Sequence, residues 1–180
     1  DYYVASCHKW LCAPLGSGFL QVRAEHHHEM QTPLLSWGRL DPHPRTTWDH
    51  EFIWSGTRDA SAYFTIPTAI EFLELVGADR FREQTHAMAQ VARHRLMELS
   101  GLEPLVPDSA DWYGSMAHVP LPPGDRLALQ NALWERGRIE VPVIEWEGRR
   151  WIRVSCHLYN SLDQIDHLLS TLRELLRQGL

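Results

Sequence analysis

The chain has 180 residues, with 17 Lys plus Arg against 23 Asp plus Glu, a formal net charge of −6 and 44% apolar side chains. That is enough chain for one ordinary domain or two small ones, and the acidic balance argues against broad binding to nucleic-acid phosphates. No apolar run approaches the ~20 residues that a membrane-spanning helix needs, and the opening DYYVASCHKW has no basic stretch followed by an apolar core, so no signal peptide is expected.

Residues 2–6, YYVAS, predict a short strand, and Phe19–Val22 a second one after the turn Gly16–Ser17–Gly18. Residues 24–50 are polar and irregular, with His26–His27–His28 and three prolines, and predict a surface excursion. From Ala60 onward Ala62, Ile66, Ala69, Ile70 and Leu73 recur at helical spacing, with Pro67 bending or dividing the helix. A second helix is predicted from about Asp79 to Ser100, with Phe81, Ala89, Ala92, Leu96 and Leu99 on its apolar face and Gly101 as its C-cap.

Residues 115–121 read as a strand, and Asp125 as the N-cap of a helix reaching about Arg136. Residues 139–146 predict an edge strand, because Pro142 interrupts the run. Glu147–Gly148 predicts a hairpin turn and Arg150–Cys156 the returning strand. Asn160 or Ser161 then opens a final amphipathic helix carrying Leu162, Ile165, Leu168, Leu169, Leu172, Leu175 and Leu176 on one side. The expected architecture is α/β: a sheet remnant in residues 1–76, mixed in strand direction, and a small α+β domain in residues 77–180 with a core of its own.

Chemistry concentrates near the start. Lys9 is the only lysine, and the other 16 basic residues are Arg. Arg cannot replace Lys where a neutral amine must attack a carbonyl. A lysine just past a strand, between small residues and a glycine turn, suits a Schiff-base nucleophile, while a plain surface lysine in a loop has the same local spacing. The three cysteines are too few for a disulfide framework and fit a reducing cytoplasm. Consecutive histidines diverge, and no CxxC or HxxxH pair exists, so no metal site is expected. Cys156 stands three residues from Arg153, which on a regular strand puts it on the opposite face, as a buried small residue.

Ser6-x-His8-Lys9, then Pro14 and Gly16-x-Gly18, resembles the cofactor-lysine segment of class V aminotransferases, pyridoxal-phosphate enzymes of fold type I. Trp54-Ser55-Gly56-Thr57-Arg58-Asp59 resembles that family's Gly-Thr segment, and Arg153-Val154-Ser155 with Tyr159-Asn160 and Asp163-x-x-Asp166 resembles its C-terminal pattern. The whole is most similar to the isopenicillin N epimerase-like branch. The resemblance implies that residues 1–76 are the C-terminal part of the large, cofactor-binding domain and residues 77–180 the small domain. It implies pyridoxal 5'-phosphate as cofactor, a Schiff base on Lys9, phosphate contacts from Ser6 and His8, and a homodimer in which Thr57 serves the neighbouring site. Arg153 would hold the carboxylate of a small amino-acid substrate. Arg58, at a position where relatives often have Pro, would bind a second carboxylate or form a structural ion pair.

The resemblance further implies that the ring-nitrogen aspartate and the stacking residue lie upstream of the lysine, so the chain is expected to be the C-terminal part of such an enzyme. Three outcomes stay open: epimerisation or transamination at the α-carbon, carbon–sulfur cleavage as in cysteine desulfurases, or a truncated chain that only folds and associates. Residues 101–152 contain no Cys, which counts against a persulfide-forming desulfurase.

Overall fold

The computed structural model describes residues 1–36, 47–53 and 56–180, and these fall into two compact units, residues 1–75 and 76–180. The first unit opens with an antiparallel pair, β1 (Tyr2–Ser6) and β2 (Gly18–Val22), in register from Tyr2 opposite Val22 to Ser6 opposite Gly18. Gly18 is favoured by close approach, since a Cβ there would crowd the Ala5 carbonyl oxygen at 3.0 Å. This sheet is wholly antiparallel among the described residues, where a mixed sheet was expected, because an 11-residue loop (residues 7–17) joins its strands and a parallel crossover needs a dozen or more.

The polar excursion is not all irregular. It contains a 3-10 helix over Ala24–Glu29, which brings His27 Nε2 to the Val22 carbonyl at 3.0 Å and stacks its ring on Trp48. After α1 (His50–Ile53), the helix expected from Ala60 is divided into α2 (Ser61–Phe64) and α3 (Ile66–Val76). The break falls just before Pro67, which has no N–H to donate and is tolerated in the first turn of α3.

The second unit contains α4 (Ala78–Ser100), β3 (Met116–Leu121), α5 (Arg126–Gly137), β4 (Val143–Trp146), β5 (Arg149–Ser155) and α6 (Leu162–Arg177). The three strands form one antiparallel sheet in the order β3-β5-β4, so β4 is an edge as Pro142 predicted. β4 starts four residues later than expected, because Arg138 adopts left-handed φ (+53°) as the α5 cap and Pro142 withholds a ladder N–H. The hairpin turn has Glu147 and Gly148 at φ +50° and +68°, the paired left-handed conformation of a tight two-residue connection.

Caps set the helix ends. Asp125 accepts from the Leu127 and Ala128 amides, Ser161 and Gln164 form a reciprocal box at the start of α6, and Gly101 ends α4 in the left-handed conformation. Helix α4 packs on β3 and β5, α5 on β4, and α6 against α4 and α5, around Ala89, Leu96, Val119, Leu133, Ile152 and Leu172, all essentially inaccessible. Leu162, expected on the buried side of α6, is half exposed because it stands in the first turn. Two arginines, Arg93 and Arg150, are buried; Arg150 donates to the carbonyls of Pro122 (2.9 Å), Asp125 (3.3 Å) and Leu180 (3.1 Å), which replaces water around its guanidinium.

Candidate active site

The loop leaving β1 is a closed turn. Cys7 donates its amide to the Ser17 carbonyl (3.0 Å) and accepts from the Ala13 amide (3.0 Å), while the Cys12 amide reaches the Lys9 carbonyl at 3.1 Å. Cys7, Ala13 and Ser17 are buried and form its inner side, and Cys12 adopts φ +59° to complete the bend. This arrangement holds Ser6, His8 and Lys9 together at the strand end, with Ser6 and His8 half-buried and Lys9 exposed. Among the described residues the Lys9 side chain has no ion pair or hydrogen bond, so its amine is available.

The His8 ring is held by a bond from Nδ1 to the Ser17 carbonyl at 3.1 Å. Ser17 is anchored in turn, since its hydroxyl donates to the Pro14 carbonyl at 2.7 Å. An amine, a hydroxyl and a held imidazole thus stand on one turn, the amine as a nucleophile and the hydroxyl as a hydrogen-bond donor.

Thr57 and Arg58 stand on a separate bend before α2, next to Gly56 at φ +121°. Both are exposed. The Arg58 guanidinium lies over the Tyr63 ring at 5.2 Å, a cation–π contact that fixes its position. Asp59, just before α2, accepts from the Ser61 amide at 2.8 Å and from the Ser61 hydroxyl, and these bonds lower its carboxyl pKa. Trp54 and Ser55, also in this motif, lie outside the described residues.

Arg153 belongs to the second unit. It lies on the exposed face of β5, directly opposite His118 of β3, and no ion pair holds its guanidinium among the described residues. Val154, its neighbour, points into the core. Arg153 opens into a cleft of about 470 Å³ whose lining includes Arg138, Glu140, Asn160, Asp163 and His167. The wall is rigid: Asn160 Oδ1 accepts from the His157 amide at 2.8 Å, Asn160 Nδ2 donates to Gln164 at 2.9 Å, and His167 Nε2 meets the Gly137 carbonyl at 2.8 Å. Asp166 is engaged elsewhere, in an ion pair with Arg95. Cys156 is buried, and burial raises its thiol pKa, so it is no nucleophile.

Sequence reasoning singled out Lys9, Ser6, His8, Thr57, Arg58 and Arg153 but missed Ser17, which appeared only as part of a glycine turn. Its burial and its two-sided role as donor and acceptor carry no local sequence signal. Arg138 and His167 were missed as cleft residues because one follows α5 and the other lies on α6, far apart in the chain. Asp1, Glu25 and His26 bring ligand atoms within 4.8 Å of one another, but Arg23 lies 3.7 Å from Asp1 and 3.8 Å from Glu25 and supplies their counter-charge.

Comparison with known proteins gives a consistent result. The family profile of Aminotransferase class-V matches residues 1–168. The chain is 36% identical to an isopenicillin N epimerase of Amycolatopsis lactamdurans, over 97% of this chain and 47% of the relative. It is 33% identical to an isopenicillin N epimerase of Streptomyces clavuligerus, over 96% of this chain and 46% of the relative. The fold matches a cysteine desulfurase of Thermococcus onnurineus NA1 with a TM-score of 0.77 at 23% identity, covering all of this chain and 48% of that one. The chain thus spans about half the length of the curated relatives it matches. Members of this family use pyridoxal 5'-phosphate.

Proposed function

Because this chain belongs to the class-V aminotransferase family, we propose that it is part of a pyridoxal-phosphate enzyme acting at the α-carbon of a small amino acid, in the manner of an epimerase. The observation that carries this reading is the turn after β1, where the sole lysine is presented beside Ser6 and His8 without a side-chain partner among the described residues. When bound, the cofactor accepts electron density from the substrate α-carbon and so makes its hydrogen acidic.

The chain's own residues divide the remaining work. Lys9 would hold the cofactor through its amine and, once released, would move the substrate α-proton. Ser6 and His8 would bind the phosphate and keep the cofactor in place. Arg153 forks onto the substrate carboxylate, and its planar guanidinium orients the α-carbon. Return of the proton to the opposite face gives the epimer. Thr57 would serve the site of a second subunit in a cytoplasmic homodimer. The persulfide route is disfavoured, because residues 101–152 contain no Cys to take the sulfur.

The test is chemical. The protein is mixed with pyridoxal 5'-phosphate, reduced with borohydride and digested for peptide mapping. A reduced adduct on Lys9 is the expected result. An adduct confined to the α-amino terminus, or none, overturns the assignment and favours a chain that only folds and associates.

A further inference from the structure

The Ser17 carbonyl accepts two hydrogen bonds, from the Cys7 amide at 3.0 Å and from His8 Nδ1 at 3.1 Å. A carbonyl only accepts, so His8 Nδ1 carries a hydrogen. In a neutral imidazole that leaves Nε2 as a bare acceptor. An acceptor turned toward a phosphate oxygen repels it. Exchanging tautomers would free Nε2 to donate, but would break the bond to Ser17 in a part-buried place. Ser17 itself is only 2% exposed, and both its amide (3.3 Å) and its hydroxyl (2.7 Å) are tied to the Pro14 carbonyl.

We propose that Ser17 is a positioning residue that keeps His8 in its Nδ1–H form, so that His8 engages the cofactor phosphate only as imidazolium and phosphate binding takes up one proton at this turn. This deepens the proposed function and rests on its reading of the turn as a phosphate cradle. The titratable neighbours of His8 in the chain are the buried Cys7 and the exposed Lys9, and the printed contact of its ring is with the Ser17 carbonyl. No carboxylate pairs with His8 among the described residues. The arriving phosphate is therefore the anion that favours the charged ring. Proton uptake and anion binding then reinforce each other, as linkage requires.

The experiment compares pyridoxal 5'-phosphate with pyridoxal, which lacks the phosphate but offers the same aldehyde. Calorimetry in buffers of different ionisation enthalpy counts protons between about pH 7 and 8.5, where the phosphate is already dianionic. Nitrogen-15 spectra of labelled histidines report the ring. At about pH 8, where an ordinary histidine is neutral, the phosphorylated ligand should take up about one proton more than pyridoxal. Its advantage over pyridoxal should fall toward ~10-fold per pH unit. His8→Gln should abolish both the excess proton and the slope. Ser17→Ala should turn the His8 spectrum into a mixture of tautomers, and Ser17→Thr, which retains the hydroxyl, should restore the single form. Equal proton uptake for the two ligands, an Nε2–H ring before ligand is added, or a His8 ring unmoved by Ser17→Ala overturns the proposal. A borohydride-stable adduct on Lys9 without excess uptake overturns it while leaving the proposed function standing. Failure to bind either ligand overturns both.

Discussion

Asp108 accepts the phenol hydrogen of Tyr113 and lies 3.4 Å from the buried Arg93 guanidinium, so one carboxylate ties the 101–115 connection to α4. His94 and Gln90 add further donors, and Arg93 reaches on to the Val106 carbonyl at 2.6 Å. The Tyr113 bond is the main reason that the Asp108 pKa falls to about 2, and burial is the main reason that the Tyr113 pKa rises to about 12.

The pH dependence follows from these directions. Asp108 is more acidic when folded, so its contribution is present above pH 3.8 and is lost as pH falls toward about 2. Tyr113 is less acidic when folded, so its contribution is present below pH 10 and is lost as pH rises toward about 12. Asp108→Asn, which leaves Arg93 buried without its counter-charge, should cost about 1–3 kcal/mol of unfolding free energy at neutral pH. Denaturant titration measures it, and the wild-type advantage should shrink as pH approaches about 2. An advantage independent of pH below 4 would show that the Asp108 charge is not what holds this connection.

Arg153 makes a separate prediction. Arg153→Lys keeps the charge and loses the planar fork, so substrate binding should weaken by about 1–3 kcal/mol. Cofactor absorbance should persist, since no role toward the cofactor falls to this residue. Titration with substrate followed by absorbance checks both. Unchanged apparent affinity would make Arg153 an ordinary strand-surface cation.

Much of the second unit was legible because its signals are local. Asp125 caps α5, Gly101 ends α4, and Glu147–Gly148 forms the turn, each through one or two residues. The alternation of Ile152 and Val154 inward with Arg153 outward follows from strand geometry alone. What stayed hidden depends on partners distant in the chain. Arg150 reads as a surface charge until three carbonyls converge on it. Likewise Arg93 and Asp108 are 15 positions apart on different segments, and nothing in either stretch announces their pairing. The site divides in the same way: Ser6, His8 and Lys9 form a contiguous motif, whereas Ser17 meets His8 from nine positions away, through a carbonyl that its hydroxyl helps to fix.

Subunit complementation tests the role of Thr57. Thr57 is exposed on a bend next to Gly56. If it serves the neighbouring site, a Lys9→Ala variant mixed with a Thr57→Ala variant should regenerate some intact sites in hybrid dimers. Mass spectrometry can establish that subunits exchange, and activity of the full-length enzyme then reads the outcome. Exchange without recovered activity would place Thr57 in its own subunit's site or outside any site.

The last prediction concerns the two units. The core cluster runs from Ala89 of α4 through Val119, Leu133 and Ile152 to Leu175 of α6, entirely within residues 76–180. Among the described residues the first unit buries far less: α3 has no buried residue, and Val4, Phe72 and Leu75 are 73%, 58% and 87% exposed. Burial of apolar surface is the dominant favourable term in folding, so stability should be concentrated in the second unit. Limited proteolysis should cut within the first ~75 residues and spare the remainder. Leu172→Ala, which empties a fully buried position on α6, should cost about 2–5 kcal/mol. Leu75→Ala should change stability by no more than about 0.5 kcal/mol, since its side chain stands almost entirely in water. Denaturant titration of both variants, followed by tryptophan fluorescence, separates the two cases. Equal losses at the two positions, or a protease-resistant product that retains β1 and Lys9, would mean that the first unit carries its own share of the core.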